Sequence, residues 1–150
     1  MRGLGRWGKI AALVAAVVGM AFAQSMIFAP TSPATASDAL STIYFDYDRT
    51  DLRPDAVKAM RNAANFLCGH AGFRVMVEGH ANERGTSAYN VGLGEARARS
   101  VRDYLVSSGI DADRIQIISY GRDCPANTRC GGNEECRANN RRVEWRILSQ

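Results

Sequence analysis

Phe73-Arg74-Val75-Met76-Val77-Glu78-Gly79 places apolar side chains at 73, 75 and 77, the two-residue period of a half-buried strand, and Gly79 stops it. A helical segment follows from about Thr86 to Ser108, ended by Gly109, and Ile115-Gln116-Ile117-Ile118-Ser119-Tyr120 reads as another strand. Strand, helix and strand in that order make a crossover unit, and a helical crossover returns the chain in the same direction. The two strands are therefore expected to be parallel.

Upstream, Thr42-Ile43-Tyr44-Phe45 is a β-branched and aromatic run that reads as a strand, followed by a polar turn from Asp46 to Asp51. Pro54 suits a first helical turn and opens a segment with Val57, Met60, Ala64 and Leu67 on one face, bracketed at its end by Gly69 and Gly72. Downstream, Val143, Trp145 and Ile147 are expected to face inward on a last strand, with Arg142, Glu144 and Arg146 facing out. The order β-α-β-α-β-loop-β predicts an α/β (α+β) two-layer sandwich with helices on one face of a mixed sheet, its last strand antiparallel to its neighbours. There is no internal repeat.

The long helix is expected to turn Tyr89, Leu93, Ala96, Ser100 and Tyr104 to one side. Gly92 and Gly94 inside it each cost roughly 1 kcal/mol relative to alanine, so a close approach or a bound group is expected there.

The formal charge of +4 is unevenly placed. Arg2, Arg6 and Lys9 precede position 24 with no acid among them, leaving 16 basic against 15 acidic residues in the rest. A nearly neutral body is a poor ligand for polyanions, so nucleic acid is not an expected partner. Those three cations form a positive n-region before the apolar run Ile10 to Phe22, and Ala21-Phe22-Ala23 supplies the small residues of an export cleavage site. Residues 1–23 are read as a signal peptide, with a second possible cut after Ala36. An uncleaved anchor from Ile10 to Ala29 is the rival reading, interrupted by Gln24 and Ser25. Residues 24–40 read as a flexible Ser-, Thr-, Pro- and Ala-rich tether and 41–150 as the folded domain, which leaves the cytoplasm on either reading.

Four cysteines suit an oxidising compartment. Cys124, Cys130 and Cys136 share one Gly- and Asn-rich loop, and Cys68 stands alone near a helix end. Structural disulfides are expected, with three full connectivities open. The spacing is not that of a zinc site and no histidine is near, so neither metal nor cofactor is expected.

Two polar segments converge on the carboxyl edge of the parallel strands, Asp46-Tyr47-Asp48 and His80-Ala81-Asn82-Glu83-Arg84-Gly85. The helix starting near Thr86 points N–H groups toward the same edge, favouring an anionic group. His80 with Asp46 or Glu83 could serve as a base, and Asp46, Asp48 and Glu83 could ligate a metal. No serine or cysteine stands in a nucleophile context, and solvated turns are the commoner fate of such acids. Arg97, seven residues after Asn90, could fork onto a carboxylate. Spacing alone favours a solvated face or an i,i+4 partner for it.

The runs Ile43-Tyr44-Phe45-Asp46-Tyr47-Asp48, Val77 to Thr86, Tyr89 to Ala98 and Asn140-Arg141-Arg142-Val143-Glu144 together resemble OmpA-like peptidoglycan-binding domains, and more narrowly the peptidoglycan-associated lipoprotein (Pal) family. The resemblance covers residues 42 to 148 in order. It implies a βαβαββ fold and non-catalytic binding of the peptide stem of peptidoglycan. The free end of its meso-diaminopimelate would sit between an acid and an arginine, with Tol-system proteins as further partners. By the same resemblance the arginine is Arg97, and Asp46, Asn90 and the pair Arg141–Arg142 line the pocket.

Two positions depart from the family pattern. Asn82 stands where the family has an aspartate; it can accept a hydrogen bond from an ammonium but brings no charge. Binding is then expected to weaken, with Asp46 or Glu83 compensating in part, or the ligand to change, for example to an amidated stem. The first cysteine is Cys68, deep in the domain, so no amino-terminal lipid anchor is expected.

Overall fold

The computed structural model describes residues 35–128 and 130–150. The expected signal peptide, its first cleavage site and most of the expected tether lie outside these residues. The elements run α1 (Ala36–Ala39), β1 (Ile43–Tyr44), α2 (Pro54–Gly69), β2 (Arg74–His80) and α3 (Ser87–Ser107). After a short 3-10 turn at Ala112–Arg114 come β3 (Ile115–Gly121), α4 (Glu134–Asn140) and β4 (Arg142–Ser149). Among the described residues no helix is long and apolar enough to cross a membrane.

The four strands form one mixed sheet in the order β1-β4-β2-β3. The crossover through α3 makes β2 and β3 parallel, with Val75 opposite Ile115 and Val77 opposite Ile117. The last strand is antiparallel to both β1 and β2, as expected, and it lies between them. The sheet's alternation sends Ile43, Val75, Val77 and Val143 toward α2 and α3, where they meet Met60, Leu67, Val101 and Leu105 in one core.

Four details depart from the sequence expectations. The ordered chain starts earlier than Thr42: Ala39 and Leu40, inside the span read as tether, are buried in the core, and the indole N–H of Trp145 donates to the Ser41 carbonyl at 2.8 Å. The buried face of α3 carries Asn90, Gly94, Arg97, Ala98, Val101 and Leu105, so the stripe expected through Tyr89 and Ala96 is displaced, and Tyr89 is half exposed. Apolar periodicity failed there because the face against the strands is built from small and polar side chains. On β4, Ile147 is partly exposed while Arg142, expected outside, is buried. The loop after β3 folds over that face, and Arg142 Nη2 donates to the Cys124 carbonyl. Finally, that loop contains α4, capped by the Asn133 side chain, which accepts from the N–H groups of Glu135 and Cys136.

Of the three possible cysteine connectivities, none forms in full. Cys130 and Cys136 are bonded, pinning the start of α4 to the loop, whereas Cys68 and Cys124 are exposed and unbonded.

The close approach predicted from the two glycines belongs to Gly94 alone. A methyl group on Gly79 would lie 1.9 Å from the Gly94 carbonyl oxygen, and one on Gly94 would lie 2.4 Å from Ser119 Oγ. The end of β2 thus rests on the backbone of α3. Gly92 faces open space.

Candidate functional site

A cavity of about 190 Å³ lies at the carboxyl ends of the strands. Its walls come from the turn after β1, from the continuous stretch that runs from β2 into α3, and from the end of α4. Tyr47 and Asp48 come from the turn after β1, Asn82, Arg84 and Gly85 from the segment after β2, and Tyr89, Asn90, Leu93 and Arg97 from α3. Arg141 closes it from the end of α4.

Arg97 is fully buried. Its Nε donates to the Arg49 carbonyl at 3.0 Å, Nη1 to that of His80 at 2.9 Å and Nη2 to that of Asp46 at 3.1 Å. A guanidinium has five N–H groups, so two remain beyond this clamp. Among the described residues no carboxylate bonds to it, and it sits over the Phe45 ring at 5.3 Å. Burial, with Arg141 nearby, lowers its pKa to about 10, so it stays charged at neutral pH. Arg141 is the second clamp: its Nε donates to the Phe45 carbonyl at 3.1 Å, and its Nη1 pairs with Glu134 at 2.5 Å. The turn after β1 is therefore held by two buried arginines, and neither points freely into solvent.

The asparagines are buried as well, Asn82 at 4% exposure and Asn90 at 0%. Asn90 Nδ2 donates to the Arg84 carbonyl, while its Oδ1 and the Asn82 Nδ2 are shielded from water with no hydrogen-bond partner among the described residues. Such unmet polar groups cost about 1–3 kcal/mol each, a cost a polar ligand could relieve. At the mouth, the Tyr89 hydroxyl donates to Asp48, which raises the Tyr89 pKa, and Arg84 lies over the Tyr47 ring at 5.5 Å. The Thr86 hydroxyl caps α3 by accepting from the Tyr89 N–H, so the positive end of the helix dipole borders the cavity.

Of the residues singled out from sequence, Asn82, Asn90, Arg97 and Arg141 meet at this cavity. Asp46 and Arg142 do not. The Asp46 carboxylate turns to Arg53 at 3.4 Å, and only its backbone carbonyl reaches Arg97. Arg142 lies on the opposite sheet face, because neighbours on a strand alternate, and there it holds Glu144 at 2.8 Å. Glu83, expected to compensate for Asn82, is held by Arg137 at 2.6 Å; this hydrogen bond lowers its pKa. The acid at the cavity is instead Asp48, together with Tyr89 across the mouth. Asp48 was read as part of a polar turn at the carboxyl edge and as a possible metal ligand, and Tyr89 was misplaced by the helical stripe.

The groupings weighed and set aside from sequence, His80 with Asp46 or Glu83 as a base and Asp46, Asp48 and Glu83 as metal ligands, do not assemble among the described residues. His80 is buried on the other sheet face, its Nε2 3.6 Å from Glu144 and its ring stacked on Tyr120. Burial first, and then Arg142, lowers its pKa and keeps it neutral. Glu78, His80 and Glu144 do converge, but Arg146 takes Glu78 at 2.5 Å and Arg142 takes Glu144, so the carboxylates are already neutralised.

A four-stranded sheet with the last strand inserted between its first two, and a clamped arginine beneath a polar cavity, define a small α/β domain with a polar pocket at one sheet edge. Residues 44–141 match the OmpA family, and the chain belongs to it. A peptidoglycan-associated lipoprotein of Pseudomonas aeruginosa is 46% identical over 106 residues, covering 71% of this chain and 61% of that protein. Its counterpart in Pseudomonas putida is 44% identical over 108 residues, covering 72% and 63%. The chain thus spans less than two thirds of the length of these relatives. The crystal structure of the peptidoglycan-associated lipoprotein from Burkholderia pseudomallei superposes with a TM-score of 0.70 at 29% identity, covering 79% of this chain and 98% of that one. The cell wall anchor of the T6SS from Pseudomonas aeruginosa gives 0.60 at 30% identity, covering 73% and 80%.

Proposed function

We propose that this chain binds the peptide stem of peptidoglycan without catalysing a reaction on it, and so ties the periplasmic face of the envelope to the cell wall. The observation that carries this reading is Arg97, a charged guanidinium with no carboxylate partner beneath a polar cavity, in a chain of the OmpA family. Two of its N–H groups remain for a ligand carboxylate, and the α3 amino terminus adds to the attraction. Asn82, Asn90 and Arg141 complete the proposed pocket, with Asp48 and Tyr89 at its mouth. Asp46 contributes only its carbonyl to the Arg97 clamp, and Arg142 is left out of the pocket. A binding role suits a site whose neighbouring acids, Asp46 and Glu83, are occupied by Arg53 and Arg137. Contact with Tol-system proteins, implied by the resemblance, is proposed on the weaker ground of family alone.

Co-sedimentation of the chain with insoluble peptidoglycan tests the reading. Arg97→Ala would also dismantle the turn, so the informative variant is Leu93→Glu, which places a carboxylate on a partly exposed cavity wall. The parent is expected to pellet, and Leu93→Glu to pellet at least about tenfold less by charge repulsion. A parent that stays in the supernatant would sink the proposal.

A further inference from the structure

The charge around the cavity is lopsided. Arg84, Arg97 and Arg141 line it against a single acid, Asp48, and adding Glu134, which pairs with Arg141, still leaves a positive excess. The acid sits at the exposed mouth with one oxygen taken by the Tyr89 hydroxyl, whereas the buried polar groups, Asn82 and Asn90, are neutral. An ammonium carried into this cavity would lose water, meet no buried negative charge and lie among guanidinium groups. A carboxylate, by contrast, meets Arg97. A neutral amide N–H also fits, because an asparagine oxygen accepts from it as well as from any donor.

Resting on the proposed function, we infer that the pocket takes the stem through a diamino acid whose carboxylate is free and whose distal amine is acylated, as it is where one stem is cross-linked to another. The chain then holds wall at its cross-links rather than at unlinked stems. Masking the carboxyl group instead, as in an amidated stem, leaves the ligand more positive and removes the partner of Arg97, so it runs against the charge of the cavity. Acylation removes the ammonium charge and keeps one N–H for an asparagine oxygen, Asn90 Oδ1 being left without a partner among the described residues.

A single chemical step isolates this variable. In a monomeric disaccharide-tripeptide muropeptide ending in diaminopimelate, the distal amine is the one free amine, and acetic anhydride converts it to the acetamide. Calorimetric titration of the full-length chain with both forms reads the preference directly. The parent is expected to bind the acetylated form more tightly than the free amine. Asn82→Asp, checked for folding by circular dichroism, is expected to favour the free amine by about tenfold, the worth of one charge-assisted hydrogen bond over a neutral one. A parent that binds the free amine as tightly or more tightly overturns the inference while leaving peptidoglycan binding intact. A parent that binds neither form overturns the underlying reading as well.

Discussion

The end of β2 carries buried charge on both of its faces, and the two faces handle it differently. Above the sheet, Arg97 gives its hydrogen bonds to three backbone carbonyls from different segments and has no carboxylate partner. Below it, Arg142 and Arg146 are closed onto Glu144 and Glu78, with His80 neutral between them. Carbonyl dipoles satisfy a guanidinium's hydrogen bonds without cancelling its charge, so its field remains available to a ligand. A carboxylate cancels both. One arginine site can therefore bind, whereas the other can only brace the sheet and the cysteine loop.

The largest expected effect breaks the first region. Arg97→Ala removes three cross-segment hydrogen bonds, strands three carbonyls and opens a void, a loss of about 3–5 kcal/mol. Chemical denaturation measures it, and a loss under about 1 kcal/mol would show that the clamp is not what holds the turn after β1.

In the second region, Arg142→Ala leaves Glu144 without its partner. Because Glu144 is partly exposed, water recovers much of the cost, and about 1–2 kcal/mol is expected. Replacing both residues with apolar ones should recover most of that loss; a double variant weaker than the single one would mean that the ion pair itself stabilises the face.

The smallest effect is a pH dependence. His80 has a lowered pKa in the folded chain, so the unfolded chain takes up the proton first as pH falls below the ordinary value of 6.5. Stability from this residue is then full above 6.5 and declines with falling pH until the folded value is reached. Glu83 and Glu144 act in the same direction at lower pH: their lowered pKa values give stability that is present above the ordinary 4.5 and lost as pH falls through the folded values. His80→Gln should flatten unfolding midpoints just below pH 6.5 and leave most of the acid limb, which rests on Arg137 and Arg142. A slope that survives the substitution would assign it to another group.

Much of this was legible in the chain. The alternation from Phe73 to Gly79, Pro54 at the start of α2 and the apolar runs of β3 and β4 specified the elements and their directions, because local periodicity and helical crossovers depend on neighbours in sequence. The motif runs likewise pointed to Asn82, Asn90 and Arg97. Less legible were the groups whose roles depend on contacts across the fold. Asp46 and Asp48 are two residues apart in one polar turn, yet Arg53 draws one carboxylate aside while Tyr89 holds the other at the cavity. Arg141 and Arg142 are adjacent, yet strand alternation sends them to opposite faces.

The sequence by itself determined the fold class, the edge at which the polar segments gather and the neutral residue at position 82, since these follow from residue type and spacing. Tertiary structure alone decided that β4 lies between β1 and β2, that Cys130 pairs with Cys136, and that Arg97 is held by backbone carbonyls rather than by a carboxylate. Each of those outcomes depends on which distant groups come within hydrogen-bonding or bonding distance, and that is fixed only when the sheet closes on its helices.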